Sequence, residues 1–205
     1  HLTNNPADET YANARNNIEA IFEPFASCDN LVRIFQPRYE ANPTDTDLLL
    51  KITEMLEKVG CTESPLFYAA TESLHGLRPT AQSAFLMGRM ESSRENFTRA
   101  IEYFEEAIKL YEADGTGNFI EERFRTYLLM ADISFRNLRR YPQARNYALA
   151  ANRIKANDGR PFIIIGEMYA LSANDCGDDE FTKKTAYWAA VDKFIQARDA
   201  DPDPA

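Results

Sequence analysis

The sequence predicts an all-α protein, a right-handed α-solenoid of about five helical hairpins. Three observations predict it. Apolar residues recur at helical intervals, and no stretch of useful length alternates as a strand would. Prolines fall where helices are expected to begin or end. A ladder of small and aromatic residues also occurs three times at matching offsets, which is typical of hairpins that stack closely.

The ladder is clearest near the end of the chain. Its members there are Ala190, Phe194, Ala197 and Pro202. Two degraded copies lie upstream: Ala100, Phe104, Ala107 and Glu112, and then Ala144, Ala148, Ala151 and Ala156. Small residues let two helix backbones approach closely, and an aromatic ring fills the space beside the crossing. The ladder therefore predicts tight contacts within and between hairpins.

Helix-boundary signals divide the chain into successive hairpins within a single domain over residues 1–205. The predicted hairpins cover residues 6–43, 44–79, 80–114, 118–158 and 159–202. Asp45 or Thr46 can cap the first helix of the second hairpin, and Ser64 followed by Pro65 can begin its second helix. The segment from Gly115 to Gly117 is interpreted as a turn. Between the helices of the fifth hairpin lie about a dozen extra residues, 174–185.

The third hairpin resembles the tetratricopeptide repeat, which pairs a small residue on its first helix with Ala-x3-aromatic-x2-Ala on its second. The matching residues are Gly88, Phe97, Ala100, Phe104 and Ala107. The fifth hairpin keeps the small residue as Gly166, whereas the fourth has Asp132 in that place. The first two hairpins keep little beyond Pro43 and Pro79. The resemblance implies a repeat fold that binds protein or peptide partners.

A narrower resemblance rests on four segments, residues 24–28, 60–67, 173–181 and 186–194. Together they are similar to secreted tetratricopeptide-repeat proteins of anaerobic Gram-negative gut bacteria. That resemblance implies an extracytoplasmic location, in the periplasm or at the outer membrane, with the signal peptide already removed. It implies no settled biochemical activity and no functional residue.

Cys28 and Cys61 each follow the expected first helix of a hairpin. Stacking of adjacent hairpins brings such turns together, so a disulfide can join the first two repeats and would suit an oxidising periplasm. Two buried free thiols are the alternative. Cys176 is then the odd cysteine.

Composition and missing motifs exclude several functions. The net charge is −9, and no run of Lys and Arg forms a phosphate-tracking stripe, so neither nucleic acid nor an anionic membrane surface is an expected partner. No apolar run is long enough to span a bilayer. The three cysteines and two histidines show no metal-ligand spacing, and His75 suits the end of a helix. We predict no enzyme activity, no metal and no cofactor.

An acidic cluster occurs in the extra segment of the fifth hairpin, at Asp175, Asp178, Asp179 and Glu180. Its spacing does not match a calcium-binding EF-hand loop, so we interpret it as a solvated loop. Trp188, the only tryptophan of the chain, is expected to pack within the last hairpin.

The first helices of the last three hairpins are predicted to line a partner-binding groove. The groove residues are Gln82, Phe85, Arg89, Ser92, Leu129, Ile133, Arg136, Asn137, Arg160, Ile163 and Glu167. Arg89 and Arg136 could bind an acidic ligand. Phe85 and Arg89 stand where chaperone-binding repeats need Lys and Asn, so that specialised activity is not expected. Packing against another domain, or against further chain after residue 205, is the alternative use of these residues.

Two functions follow as hypotheses. The first is a non-enzymatic scaffold for protein or peptide partners in the bacterial cell envelope. The alternative is a glycan-binding outer-membrane component related to SusD-like proteins, which also use tetratricopeptide-type helices. Those proteins expose more aromatic residues on longer loops than a chain with a single tryptophan is expected to show.

Overall fold

The computed structural model describes residues 27–115, 117–175, 177 and 179–201, and these ranges contain helices joined by short connections, with no strand. The helices are α1 Cys28–Ala41, α2 Thr46–Lys58, α3 Pro65–Leu77, α4 Ala81–Ser93, α5 Phe97–Ala113, α6 Ile120–Arg136, α7 Tyr141–Ile154, α8 Arg160–Ser172 and α9 Glu180–Ala200. A short 3-10 turn, Ala173–Asp175, follows α8. The predicted all-α, tetratricopeptide-like fold class is confirmed.

The chain divides into two compact units, His1–Pro79 and Thr80–Ala205. In the described residues, the first unit contains α1 to α3 and the second contains α4 to α9. The boundary coincides with the predicted junction between the second and third hairpins. The single domain over residues 1–205 stays a prediction, and most of the predicted hairpin over residues 6–43 lies outside the described residues.

Capping signals set the helix starts of the first unit. The Asp45 carboxylate accepts hydrogen bonds from the backbone N–H groups of Asp47 and Leu48 at the start of α2. The Ser64 hydroxyl accepts from the Phe67 N–H at 3.1 Å, one residue before Pro65 opens α3. Both caps are those expected from the sequence.

Contacts at both ends of α1 tie it to other described parts of the first unit. The structure joins Cys28, at the start of α1, to Cys61 through a disulfide with a Cα–Cα distance of 5.4 Å. Near the other end of α1, the Tyr39 hydroxyl lies 3.1 Å from the Ser73 hydroxyl on α3. The helix is therefore held at both ends.

The second unit consists of three hairpins, α4–α5, α6–α7 and α8–α9, and the helices of each pack closely together. Successive hairpins also pack, since α5 contacts α6 and α7 contacts α8. A continuous apolar cluster at the first junction joins residues of α4 and α5 to Met130 and Ile133 on α6. Each hairpin therefore completes the core of the one before it.

Glycine and phenylalanine interlock inside two of these hairpins. A Cβ atom on Gly88 would lie 2.6 Å from ring carbons of Phe104, and one on Gly166 would lie 2.7 Å from the Phe194 ring. The middle hairpin has Ala148 where the other two carry the phenylalanine. A small residue on the second helix leaves room on the first, which explains why Asp132 is tolerated at the position of the glycines.

The extra segment of the fifth predicted hairpin is partly helical. We expected residues 174–185 to lie between the helices, but α9 begins at Glu180 and includes half of them. The reason is a cap: the Asp179 carboxylate accepts hydrogen bonds from the Thr182 N–H at 2.8 Å and from the Thr182 hydroxyl at 2.6 Å. As a result, α9 is 21 residues long.

Candidate functional site

The residues predicted to line a groove all lie on or next to the first helices of the second unit, α4, α6 and α8. Their exposure differs widely. Exposed members are Gln82, Arg89, Arg136, Asn137, Arg160 and Ile163, and partly exposed members are Ser92, Leu129 and Glu167. Phe85 and Ile133 are only 3% and 6% exposed and belong to the core cluster. Those two residues therefore support this face from beneath and do not line it.

The contacts of Phe85 explain its burial. Its ring centroid lies 5.6 Å from that of Phe104. The Arg125 guanidinium of α6 lies 5.2 Å from the same ring, which favours a cation–π contact between the first two hairpins of the unit. An apolar anchor for a partner must therefore come from other residues.

Arg136 forms a bridge between α6 and α8. Its Nε donates to Asp132 Oδ1 at 2.6 Å, and its Nη2 donates to Glu167 Oε2 at 2.5 Å. The hydrogen bond to Asp132, with the charges of both carboxylates, raises the pKa of Arg136. Two of the predicted groove residues thus pair with each other, and their charges are largely compensated before any ligand arrives.

Arg160 has a comparable role at the start of α8. Its guanidinium donates to both carboxylate oxygens of Asp158, at 2.9 and 2.6 Å, and lies 4.9 Å from the Phe124 ring centroid. Hydrogen bonding from Arg160 lowers the pKa of Asp158. This arginine fastens α8 to the preceding hairpin.

An open cleft of about 340 Å³ lies beside the Arg136 bridge. Phe135, Arg136, Arg139, Tyr141 and Leu171 line it. The Leu171 side chain is 65% exposed, and Arg139 is exposed at the connection between α6 and α7. The cleft therefore combines an accessible apolar side chain with positive charge. Sequence reasoning found Arg136 but missed Arg139, which lies beyond the end of α6, and Leu171, which lies four residues after Glu167 on the same side of α8.

A second exposed surface lies on α9, and we call it the α9 apolar face. It is formed by Phe181 (67% exposed), Trp188 (59%), Val191 (52%), Tyr187 (45%), Ile195 (42%) and Phe194 (40%). The expectation that Trp188 packs within the last hairpin is wrong. Its ring is solvent-exposed and meets the Phe181 ring edge-on, with the centroids 6.1 Å apart.

The sequence held a signal for this face. Phe181, Trp188 and Ile195 are seven residues apart, which places them on one side of a helix. Ala190 and Ala197, on the opposite side, are the buried residues of α9. Attention to the small-residue ladder alone identifies only the buried side.

No metal centre emerges from the part of the chain that the structure describes, where no three His, Cys, Asp or Glu side chains cluster suitably. Asp179, from the predicted acidic loop, acts as a helix cap, and its hydrogen bonds to Thr182 lower the pKa of Asp179. Asp178 and the Asp175 side chain lie outside the described residues. None of the described helices has the length and apolar character needed to cross a membrane.

Comparisons with known proteins support the fold. No protein-family model matches the chain, and no curated protein sequence matches it. Two crystal structures of MamA, a tetratricopeptide-like helical protein, are similar, each with a TM-score of 0.65 and 17% sequence identity. One alignment covers 87% of this chain and 91% of MamA, and the other covers 90% and 88%. At this identity the likeness shows a shared helical-repeat fold.

Proposed function

We propose that the chain is a non-enzymatic scaffold that binds protein or peptide partners on the first-helix side of its second unit. The cleft at Arg139 and Leu171 carries this proposal, because it offers apolar contact and charge within one accessible surface. Helical-repeat folds commonly use their extended surfaces for protein binding. The similarity to MamA in fold is consistent with a scaffold of this type.

The cleft favours a partner segment with an apolar side chain next to a carboxylate. Leu171 and Tyr141 supply apolar contact, and Arg139 supplies a planar donor for the carboxylate. Arg136 is already bridged to Asp132 and Glu167, so we assign it to the junction of α6 and α8. On α4, Arg89 is exposed and extends the positive charge along the same series of first helices.

We also propose a location in the bacterial cell envelope, at the periplasm or outer membrane. The disulfide between Cys28 and Cys61 supports it, because such bonds persist mainly in oxidising compartments. Protein purified from its native host should resist alkylation at both positions until it is reduced. Ready alkylation of both thiols without reductant would contradict the proposed location.

Binding of envelope proteins to purified variants tests the scaffold function. Arg139→Glu and Leu171→Asp should each lower the recovery of a bound partner about tenfold, because each removes one of the two attractions of the cleft. Lys109→Glu is the matched control, since it makes the same charge change at an exposed position on α5. Equal recovery by all three variants would exclude the cleft as the binding surface.

A second candidate, a glycan-binding component, is favoured by one observation. Tyr187 and Trp188 are exposed side by side on α9, and such rings can stack on sugars. Polysaccharide affinity gels distinguish the two functions. Retardation of the protein in these gels that disappears with Trp188→Ala would favour the glycan-binding function. Migration without retardation, together with recovery of a bound protein partner, would favour the scaffold.

A further inference from the structure

We propose that a second cleft of the second unit binds a ligand that carries one carboxylate next to an aliphatic group. The cleft has a volume of about 450 Å³ and lies among α5, α6 and α7. We call it the Arg153 cleft. Among the described residues it has no lining residue in common with the cleft at Arg139 and Leu171, so this inference goes beyond the proposed function. Its lining includes Glu112, Ile120, Arg123, Tyr127, Arg153 and Ile154.

Two guanidinium groups and a phenol converge in the Arg153 cleft. Arg123 and Tyr127 are one turn apart on α6, and Arg153 lies near the end of α7. Burial, followed by the charge of Glu112, raises the pKa of Tyr127, whereas the charges of the two arginines act on the same phenol in the opposite direction. The phenol therefore keeps its proton at neutral pH and can donate a hydrogen bond. Two cations and a neutral donor are a set that suits a carboxylate.

The one acidic residue of this lining does not satisfy both arginines. Arg123 Nη2 donates to Glu112 Oε1 at 2.9 Å. Arg123 Nε is buried and has no hydrogen-bond partner among the described residues. Arg153 is exposed, and its own helix offers it no acidic side chain, because residues 133–157 contain neither Asp nor Glu. Two guanidinium groups beside one carboxylate leave one positive charge of the lining uncompensated.

Acidic residues around the cleft do not remove this excess. Glu121 pairs with Lys155 at 2.9 Å, and Glu105 accepts the Tyr147 hydroxyl at 2.6 Å. The other acidic residues near these ends of α5 and α6 lie about 100° or more around the helix from Glu112 or Arg123. They are Glu106, Asp114 and Glu122. A ligand with a single negative charge is therefore matched, whereas a divalent phosphate exceeds the available charge and is repelled more strongly by Glu112.

Two isoleucines supply the aliphatic contact. Ile120 is 53% exposed at the start of α6, and Ile154 is partly exposed at the end of α7. Both line the same cleft as the arginines, so an aliphatic group next to a bound carboxylate would remove their apolar surface from water. The C-terminus of a peptide that ends in Leu, Ile or Val has this chemistry, and so has a free aliphatic acid.

Binding of a labelled peptide to the full chain tests the proposal. The probe is a fluorescein-labelled alanine peptide that ends in leucine with a free carboxylate, followed by fluorescence anisotropy. We expect saturable binding that weakens about tenfold when the terminal carboxylate is amidated, because the amide carries no charge. Hexanoate should displace the probe, and inorganic phosphate at the same concentration should not. Equal binding of the free and amidated peptides, or equal displacement by phosphate, would overturn the proposal.

Arg153→Gln is the test variant and Arg139→Gln the matched control, since both remove one positive charge at an exposed arginine of the second unit. Arg153→Gln should weaken binding of the peptide about tenfold, because a charged donor of the site is lost, and Arg139→Gln should leave it unchanged. If the two variants weakened binding equally, the peptide would not be held in the Arg153 cleft.

Glu112→Gln gives a result that damage to the fold would not imitate. The neutral side chain no longer repels the ligand carboxylate or competes for Arg123, so the peptide should bind about threefold to tenfold more tightly. Weaker binding by this variant would contradict the assignment of the site.

Competition between the two ligands identifies the source of the carboxylate. Tighter binding of the peptide than of hexanoate would assign the cleft to a peptide C-terminus, and the reverse order would assign it to a free aliphatic acid. Either order supports the shared chemistry. The recovery experiment with Arg139→Glu and Leu171→Asp concerns the other cleft, so failure of both ligands here would remove this inference alone.

Discussion

At the residue scale, Gly88 shows how the lack of a side chain permits the hairpin to close. Its place in α4 leaves no room for a Cβ atom, because the Phe104 ring occupies that space and is itself 1% exposed. Gly88→Ala should therefore lower the free energy of unfolding by about 1–3 kcal/mol, measured by denaturant titration.

The chain contains a control for that prediction. A Cβ atom on Gly76, within α3, would meet nothing within 4 Å. Gly76→Ala should raise stability by about 0.5–1 kcal/mol, because alanine favours helix and reduces the freedom of the unfolded chain. If both variants changed stability in the same direction, the interlock of Gly88 and Phe104 would not be the cause.

Tyr147 gives a prediction on pH. Its hydroxyl donates to Glu105 Oε1 at 2.6 Å and accepts from Gln143 Nε2 at 2.7 Å. Burial, followed by the hydrogen bond to Glu105, raises the pKa of Tyr147. The folded state thus keeps the proton where the unfolded state begins to lose it, above pH of about 10.

The stabilisation from Tyr147 is complete below that pH and decreases as the pH rises through the folded-state pKa. Tyr147→Phe should cost about 1 kcal/mol at pH 7. The difference in the free energy of unfolding between this variant and the unmodified chain should decrease above pH 10, as measured by denaturant unfolding at each pH. A deficit that stays constant up to pH 11.5 would contradict the role assigned to the Tyr147 proton.

At the element scale, the start of α8 depends on Asp158. Its carboxylate accepts the Arg160 N–H at 3.1 Å as well as the two guanidinium hydrogen bonds, and the pKa of Asp158 is lowered as a result. Asp158→Asn should cost about 1–2 kcal/mol at neutral pH, because the amide cannot accept both charged bonds.

The pH dependence of that loss follows from the lowered pKa. The contribution of Asp158 is present above the unfolded-state pKa of about 4, and it is lost as the pH falls through the folded-state value. The stability curves of Asp158→Asn and the unmodified chain should therefore converge below pH 4. If the difference in stability between the two proteins were as large at pH 2 as at neutral pH, the charge of the Asp158 carboxylate would not be its cause.

Much of this architecture could be predicted from local signals. Asp45, Ser64 and Pro65 act through contacts within a few residues, so the sequence alone locates the starts of α2 and α3. The ladder residues Gly88 and Phe104 could be paired because their spacing matches a known repeat.

Properties that depend on neighbours in space could not be predicted in the same way. The burial of Phe85 results from Arg125 and Phe104, which are distant in sequence. The positive charge of Arg136 is compensated in part by Glu167, which is 31 residues away in sequence. Apolar character in general predicts burial of Trp188, whereas its actual exposure depends on which helices pack against that side of α9.

At the scale of the whole molecule, the two units should respond differently to reduction. The disulfide closes a span of 33 residues that contains α1 and α2. Loop-closure entropy gives it a stabilising contribution of about 3–4 kcal/mol. Reduction, or Cys28→Ser with Cys61→Ser, should lower the melting temperature of the first unit and leave that of the second unit unchanged.

Hydrogen exchange with mass spectrometry separates the two responses. Amides of α1 to α3 should exchange faster after reduction, and those of α4 to α9 should not. A uniform increase over all the described helices would show that the chain unfolds as one cooperative body and would contradict the division at residue 79.

The scaffold function is tested most directly by photo-crosslinking in cells of the native host, with a benzophenone amino acid in place of Asn137 beside the cleft. We predict a discrete protein adduct that maps to this position, is lost with Arg139→Glu and is retained with Lys109→Glu. Adducts that persist equally in both variants, or none at all when the protein is fully expressed, would contradict the account.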